Sequence, residues 1–106
     1  MYVRQLHFNF IPEHIAEVKE LFKNEIIPAL HDAKGIIDIK LLEPVDKADS
    51  FISQSEWESQ AAADAYGGSP LFTELRKKLI GFTTKEPVLK TYTCETVRKE
   101  TPVMNK

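Results

Sequence analysis

The hydrophobic spacing of this chain switches between a period of two and a period of three to four residues, which limits the folds it can adopt. Residues 2–11 alternate as a strand does, and Arg4 is the one exception on an otherwise apolar face. The apolar residues of that face are Tyr2, Leu6, Phe8 and Phe10. The opposite face carries Val3, Gln5, His7, Asn9 and Ile11. The sequence therefore predicts a strand over residues 2–11.

A helix is predicted directly after this strand. Pro12 suits a first helical position, and Glu13 suits the first turn, where the helix dipole favours a negative charge. Apolar residues then recur at spacings of three and four, at Ile15, Val18, Phe22, Ile26 and Ala29. Pro28 removes one backbone hydrogen bond within this pattern, so we expect a kink or a break there. Gly35 is the expected end of the helical segment.

The remainder of the chain predicts three strands and two helices. Strands are expected over residues 36–42, 51–57 and 87–96, with a hairpin loop over residues 43–50. Ser59 is the expected N-cap of a short helix over residues 60–66, and Ser69 that of a second helix, which Gly81 ends. In this interpretation residues 1–96 form one domain and residues 97–106 a flexible tail.

The order strand, helix, two strands, two helices, strand is the split βαβ arrangement of a ferredoxin-like α+β fold. It predicts an antiparallel four-stranded sheet with helices on one face. Apolar residues nevertheless occur on both faces of the predicted strands, as Ile37, Ile39 and Leu41 against Ile36 and Leu42, and as Phe51 and Trp57 against Ile52. Monomers seldom leave such a patch in water, so we expect a homodimer that packs sheet against sheet.

Composition and charge argue against several classes of partner. Fourteen Lys and Arg against sixteen Asp and Glu leave a net charge of -2, without the clustered cations that phosphate binding needs. Cys94 is the only cysteine, so it forms neither an internal disulfide nor a metal-binding pair, and we expect it to pack as a small apolar residue. No apolar run approaches the roughly 18 residues of a membrane span. We predict a cytoplasmic protein without a membrane or nucleic-acid partner.

Two motifs in the second half of the chain resemble the antibiotic-biosynthesis-monooxygenase (ABM) domain family. They are Ser55-Glu56-Trp57-Glu58-Ser59, at a strand-to-helix corner, and Ser69-Pro70-Leu71-Phe72, at the start of the next helix. With the order of elements, the resemblance covers residues 3–95. It implies a dimeric α+β barrel of two ferredoxin-like protomers.

For function, the resemblance implies oxygenation without a metal or flavin. The substrate would be a small electron-rich aromatic, a phenol or quinol, that is deprotonated and itself passes an electron to oxygen. The two histidine positions of the quinol-oxidising branch hold Tyr66 and Leu71 here. Of the heme-degrading pattern, Trp57 matches, but the histidine position holds Arg76, so heme is disfavoured and no cofactor is expected. The asparagine position of that pattern falls at Gln5 or His7.

Six residues are candidates for a pocket between sheet and helices. His7 is the preferred base because its pKa suits proton abstraction, with Tyr66 or Asn9 as the hydrogen-bond donor. Trp57 and Phe72 would form the walls, and Gln5 shares the face of His7 and Asn9. Structural roles are the alternatives: a core anchor for Trp57, packing for Tyr66, and cross-strand hydrogen bonding for the polar residues.

A non-catalytic, small-ligand-binding or stress-associated dimeric barrel is the alternative function. The loss of both histidines of the quinol pattern favours it. His14 and His31 have no partner at metal-ligand spacing, so surface roles are expected for both.

Overall fold

The computed structural model describes residues 1–95 as one antiparallel sheet with helices packed on one face. The four strands are β1 (Tyr2–Phe8), β2 (Ile36–Leu42), β3 (Phe51–Trp57) and β4 (Val88–Thr93), in the spatial order β2-β3-β1-β4. The helices are α1 (Ile15–Leu21), α2 (Ile27–Leu30), α3 (Gln60–Gly67) and α4 (Pro70–Ile80). The predicted ferredoxin-like α+β fold is confirmed. The predicted tail, residues 97–106, and the last residue of the predicted fourth strand lie outside the described residues.

The central strand β1 pairs with β3 on one side and with β4 on the other, both antiparallel. Tyr2 lies opposite Trp57 and Thr93, and Arg4 lies opposite Ser55. Paired residues share a face of the sheet, so the even-numbered residues of β1 lie on the helix side. The odd-numbered residues lie on the face that no helix covers.

Strand β2 contains an irregularity that changes its predicted faces. The register shifts between Ile36, which pairs with Trp57, and Asp38, which pairs with Glu56. A bulge adds one residue to the strand, so Ile36 joins Ile39 on the helix side and packs against the core. The predicted placement of Ile36 on the face of Leu42, opposite Ile39 and Leu41, was therefore wrong. Ile37, at the bulge, is 52% exposed.

The first helical segment breaks upstream of its proline. A 3₁₀ turn (Pro12–His14) leads into α1, and a π-helical turn (Phe22–Ile26) separates α1 from α2. Proline has no N–H, and its ring clashes with the carbonyl four residues earlier. A widened turn before Pro28 accommodates both effects, so the predicted irregularity is present but lies in the turn that precedes the proline.

Both predicted serine caps are confirmed. The Oγ of Ser59 accepts a hydrogen bond from the N–H of Ala62 (3.2 Å) at the start of α3, and the Oγ of Ser69 accepts one from that of Phe72 (3.2 Å) at the start of α4. Each side chain satisfies an N–H that has no partner within its helix.

The core lies between the sheet and the helices. Its largest side chains with essentially no exposure are Trp57, Phe8, Phe22, Leu30 and Val18. Trp57 and Phe8 come from the sheet and the others from the first helical segment, so the helix side of the sheet is closed over most of its length. Within residues 1–95, no helix is both long and apolar enough to cross a membrane.

Candidate functional site

Arg4 is the only charged residue among residues 1–95 that is buried, with 7% of its surface exposed. Its guanidinium carbon lies 5.1 Å from the centroid of the Phe72 ring and 5.7 Å from that of the Tyr66 ring. Both distances are within the roughly 6 Å range of a cation–π interaction. We call Arg4, Trp57, Tyr66 and Phe72 the Arg4 cluster.

Tyr66 is in contact with the other two rings of the cluster. Trp57 stacks on Tyr66 with centroids 5.0 Å apart, and Tyr66 meets Phe72 edge to face at 5.3 Å. The indole Nε1 of Trp57 donates to the Oγ of Ser55 at 2.8 Å, so its one polar group is satisfied within the core. The rings therefore form a fixed wall beside the guanidinium.

Ser69 sets the relative positions of Tyr66 and Phe72. Its hydroxyl donates to the backbone carbonyl of Tyr66 at 2.6 Å, near the end of α3. The same oxygen caps α4, which begins at Pro70 and carries Phe72 in its first turn. One side chain thus joins the two helices that hold these aromatic residues.

A cleft of about 440 Å³ opens beside the cluster, between the helix side of β1 and β4 and helices α3 and α4. Its lining combines apolar side chains with two cations and one carboxylate: Arg4, Leu6, Asp64, Gly67, Phe72, Arg76, Pro87 and Leu89. A second, much smaller space of about 20 Å³, lined by Leu30, Ser55 and Tyr66 among others, shares Arg4 and Leu6 with the cleft. Arg4 thus contributes to both spaces.

Burial raises the pKa of Tyr66 to about 12, and the nearby charge of Arg4 opposes this shift only partly. At neutral pH the phenol therefore keeps its proton and can donate a hydrogen bond, but it cannot act as a base. Asp64 is the only carboxylate among the described residues that line the cleft.

Arg4 has no carboxylate within 4 Å in the part of the chain that the structure describes, and its side chain makes no hydrogen bond there. Arg76, at the edge of the cleft, differs in this respect. Its Nη2 donates to the Oε2 of Glu86 at 2.7 Å. Among residues 1–95, Arg76 therefore has an acidic partner and Arg4 does not.

His7 and Gln5 lie on the helix-free face, opposite the Arg4 cluster, because they are odd-numbered residues of β1. The Nε2 of His7 bonds to the Oε1 of Gln5 at 2.9 Å, and the Nε2 of Gln5 donates to the Oε1 of Gln54 at 2.8 Å. Gln54 in turn donates to Glu56 (3.0 Å). The pKa of His7 is lowered, chiefly by burial and secondarily by the charge of Lys90.

Asn9 follows the end of β1, and its side chain bonds to that of Ser50, whose hydroxyl donates to Oδ1 of Asn9 at 2.9 Å. The structure therefore brings together Trp57, Tyr66 and Phe72, but not His7, Asn9 or Gln5. His7 does not face the space between sheet and helices, and its catalytic role stays a prediction.

All three histidines lie within the described residues, and none lines the cleft. The Nδ1 of His14 bonds to Glu17 (2.7 Å), and that of His31 bonds to Asp32 (3.1 Å). Within residues 1–95, no three His, Cys, Asp or Glu side chains are grouped closely enough to hold a metal ion. The side chains of this cleft do not suit a histidine-ligated heme.

Arg4 is the site residue that sequence reasoning missed. It was visible only as the charged exception on an apolar strand face, and that was the available signal. Burying a charged side chain costs free energy unless the charge is paired or hydrogen-bonded, so a charged residue at a position predicted to be buried is a candidate for a functional site.

One family model matches the chain over residues 1–78, and its description is "Antibiotic biosynthesis monooxygenase". No curated protein sequence matches the chain.

Several solved structures share the fold. The monooxygenase from the gene ActVA-Orf6 of Streptomyces coelicolor, in complex with nanaomycin D, is 17% identical over 94% of this chain and 92% of its own, with a TM-score of 0.78. A protein of Deinococcus radiodurans, named as an antibiotic biosynthesis monooxygenase, is 16% identical over 95% and 99%, with a TM-score of 0.79. A variant of MhuD with two manganese protoporphyrin IX molecules bound per active site is 16% identical over 94% and 100%, with a TM-score of 0.78. At these identities the likeness shows the fold alone.

Proposed function

The chain belongs to the antibiotic biosynthesis monooxygenase family, and we propose that it oxygenates a small electron-rich phenol or quinol without a metal or flavin. The observation that carries the proposal is the cleft beside the Arg4 cluster. It has an aromatic wall at Phe72, a buried cation and one carboxylate, and its volume suits a small aromatic molecule. The monooxygenase among the structures of similar fold is in complex with the ligand nanaomycin D, which supports a small-molecule substrate.

In the proposed reaction the substrate supplies the electrons. Its phenol or activated C–H group loses a proton, and the resulting anion passes one electron to dioxygen. The two radicals combine into a C–O bond, and the peroxide anion takes back the proton that the substrate lost. The resulting hydroperoxide then loses water and leaves a carbonyl. The substrate is oxidised by two electrons beyond the oxygen atom it gains, and the second oxygen atom leaves as water. The protein has to orient the substrate, exclude bulk water and stabilise the anion.

Asp64 is the proposed proton acceptor. Tyr66 is protonated at neutral pH and Arg4 has no free lone pair, so neither can take the proton. Asp64 lies in α3, two residues before Tyr66, and it lines the same cleft. His7, on the helix-free face, stays the alternative base.

Oxygen uptake with a panel of quinols and anthrones tests the proposal. We expect the wild-type protein to consume oxygen faster than buffer, and Asp64→Asn to lower kcat by about 100-fold, as the loss of a general base does. Asp32→Asn is the matched control, because Asp32 bonds only to His31 at the surface, and it should leave kcat unchanged. Uptake at the buffer rate across the panel would exclude the oxygenase. Loss of oxygen uptake in His7→Gln but not in Asp64→Asn would show that His7, on the helix-free face, is the base.

A non-catalytic binding module is the second candidate. The observation that favours it is the absence of any histidine from the cleft, together with the raised pKa of Tyr66. Binding of the same aromatic compounds without oxygen uptake would support this candidate.

We also propose that a second copy of the chain covers the helix-free face. Val88 and Tyr92 on this face are 49% and 48% exposed, and Leu42 adds a further exposed apolar side chain. Sedimentation equilibrium at micromolar concentration should give twice the 12.1 kDa mass of the chain. Val88→Lys should shift the protein toward the monomer, because it places a charge in the interface. A wild-type monomer at this concentration would contradict the proposal.

A further inference from the structure

We infer that the cleft binds its ligand as an anion, whose oxygen is held by the guanidinium of Arg4. This inference deepens the proposed function, on whose cleft it rests, because it names the charge state and the contact of the substrate. It does not depend on the oxygenation step.

The first argument is the unmatched burial of Arg4. Arg4 as a whole residue is only 7% exposed, and removing a charge from water costs several kcal/mol unless a partner replaces the lost water. The rings of Tyr66 and Phe72 return only about 1–2 kcal/mol through cation–π contact. They also leave its N–H groups without acceptors in the described part of the chain. A ligand oxyanion would complete this environment.

The second argument is that the space beside the guanidinium depends on a glycine. A Cβ placed on Gly67 would lie 2.7 Å from the Nη1 of Arg4, which is too close for two unbonded heavy atoms. The neighbouring Gly68 differs, because its nearest atom would be the carbonyl oxygen of Asp64, at an ordinary 3.6 Å. A larger residue at position 67 would therefore displace the guanidinium, the flexible end of the Arg4 side chain, from its present position.

The third argument is the composition of the cleft wall. Leu6, Phe72, Pro87 and Leu89 provide apolar surface around one available cation, since Arg76 is paired with Glu86. The carboxylate of Asp64 in the same cleft disfavours ligands with a second negative charge. These features select a planar aromatic monoanion, in which a phenolate or a carboxylate is attached to the ring. A guanidinium recognises both through charge-assisted hydrogen bonds.

Calorimetric titration with three naphthalene derivatives tests the inference. At pH 7 we expect 2-naphthoate to bind at least tenfold more tightly than 2-naphthamide, which has a similar shape but no charge; tenfold corresponds to about 1.4 kcal/mol. The third probe, 2-naphthol, should bind more tightly above the pH at which it ionises. A gain for naphthoate alone identifies a carboxylate site, and a gain for ionised naphthol a phenolate site. Equal affinities for the charged and neutral probes would overturn the inference.

Two sets of variants locate the contact. Arg4→Met keeps a long side chain but removes the charge, and it should abolish the preference for naphthoate over naphthamide. Arg4→Lys should restore part of it, because lysine has a charge but no planar fork. Gly67→Ala should lower the affinity for naphthoate at least tenfold, because it displaces the guanidinium, whereas Gly68→Ala should not. If Gly67→Ala and Gly68→Ala bind naphthoate equally, Arg4 is not the contact.

The outcome is separable from that of the proposed function. A preference for anions that depends on Arg4, without oxygen uptake, would leave this inference standing and exclude the oxygenase. Oxygen uptake that is unchanged in Arg4→Met, with equal binding of charged and neutral probes, would support the oxygenase and overturn this inference. The fold of each variant is checked by circular dichroism. Arg4→Met should be folded, since replacing an unpaired buried charge by an apolar group is often neutral or stabilising.

Discussion

Trp57→Ala should lower the free energy of unfolding by about 3–5 kcal/mol, the largest effect that we expect from one substitution. Trp57 has no exposed surface, and its ring stacks on Tyr66. Truncation leaves a cavity between β3 and α3 and removes the donor that satisfies Ser55. Because small domains are stable by about 5–15 kcal/mol, the variant should be close to unfolding.

Urea denaturation followed by circular dichroism measures this effect, since Trp57 is the only tryptophan and its fluorescence is lost in the variant. Trp57→Phe is the matched comparison. It keeps an aromatic ring but loses the N–H group, and it should cost less than the alanine variant. Val45→Ala, at a fully exposed position of the hairpin loop, should change the stability by less than about 0.5 kcal/mol. A loss below 1 kcal/mol for Trp57→Ala would show that Trp57 is not a core anchor.

Gly35→Ala should cost about 2–4 kcal/mol. Gly35 has a φ of 83°, in the left-handed region, where a side chain is strained. A Cβ at this position would also lie 2.5 Å from the Cβ of Ala62 in α3. The backbone cannot easily move away, because the carbonyl of Gly35 accepts a hydrogen bond from the N–H of Glu58 at 2.9 Å.

Gly81→Ala provides the control for this substitution. Gly81 has a φ of -68°, and no atom lies within 4 Å of the position of its Cβ. The free energy of unfolding of Gly81→Ala should therefore stay within about 1 kcal/mol of the wild-type value, in either direction. Thermal unfolding of the two variants side by side tests the difference. Equal melting temperatures would mean that neither the backbone conformation nor the contact with α3 matters.

Most of the fold could be predicted because its elements leave local signals. The bounds of β2 and β3 were confirmed at both ends, since each strand lies between residues that favour turns. Ser59 and Ser69 marked the starts of α3 and α4 through their capping chemistry. The bulge at Ile37 was not predictable in the same way. It depends on how β2 aligns with β3, and alternation within one strand contains no information on that alignment.

The site was predicted only in part, for a related reason. Alternation separated the two faces of β1 correctly, but it does not say which polar residues of a strand meet which helix. We preferred His7 as the base because of its pKa. In the structure the helices cover the opposite face of β1, which carries Arg4, so His7 does not line the cleft between sheet and helices. The aromatic residues Trp57, Tyr66 and Phe72 were identified through the resemblance to the family, whose motifs lie at a strand end and at the starts of helices.

The hydrogen bonds of the helix-free face have a direction, and that direction determines the tautomer of His7. Gln5 uses its amide N–H to bond Gln54, so its carbonyl oxygen faces His7 and can only accept. The ring of His7 must then carry its proton on Nε2, which leaves Nδ1 as the lone-pair nitrogen. Gln54 is oriented in turn by the carboxylate of Glu56. A single negative charge on the neighbouring strand β3 thus sets the polarity of the chain of amides, and with it the nitrogen of His7 that can accept a hydrogen bond from an incoming donor.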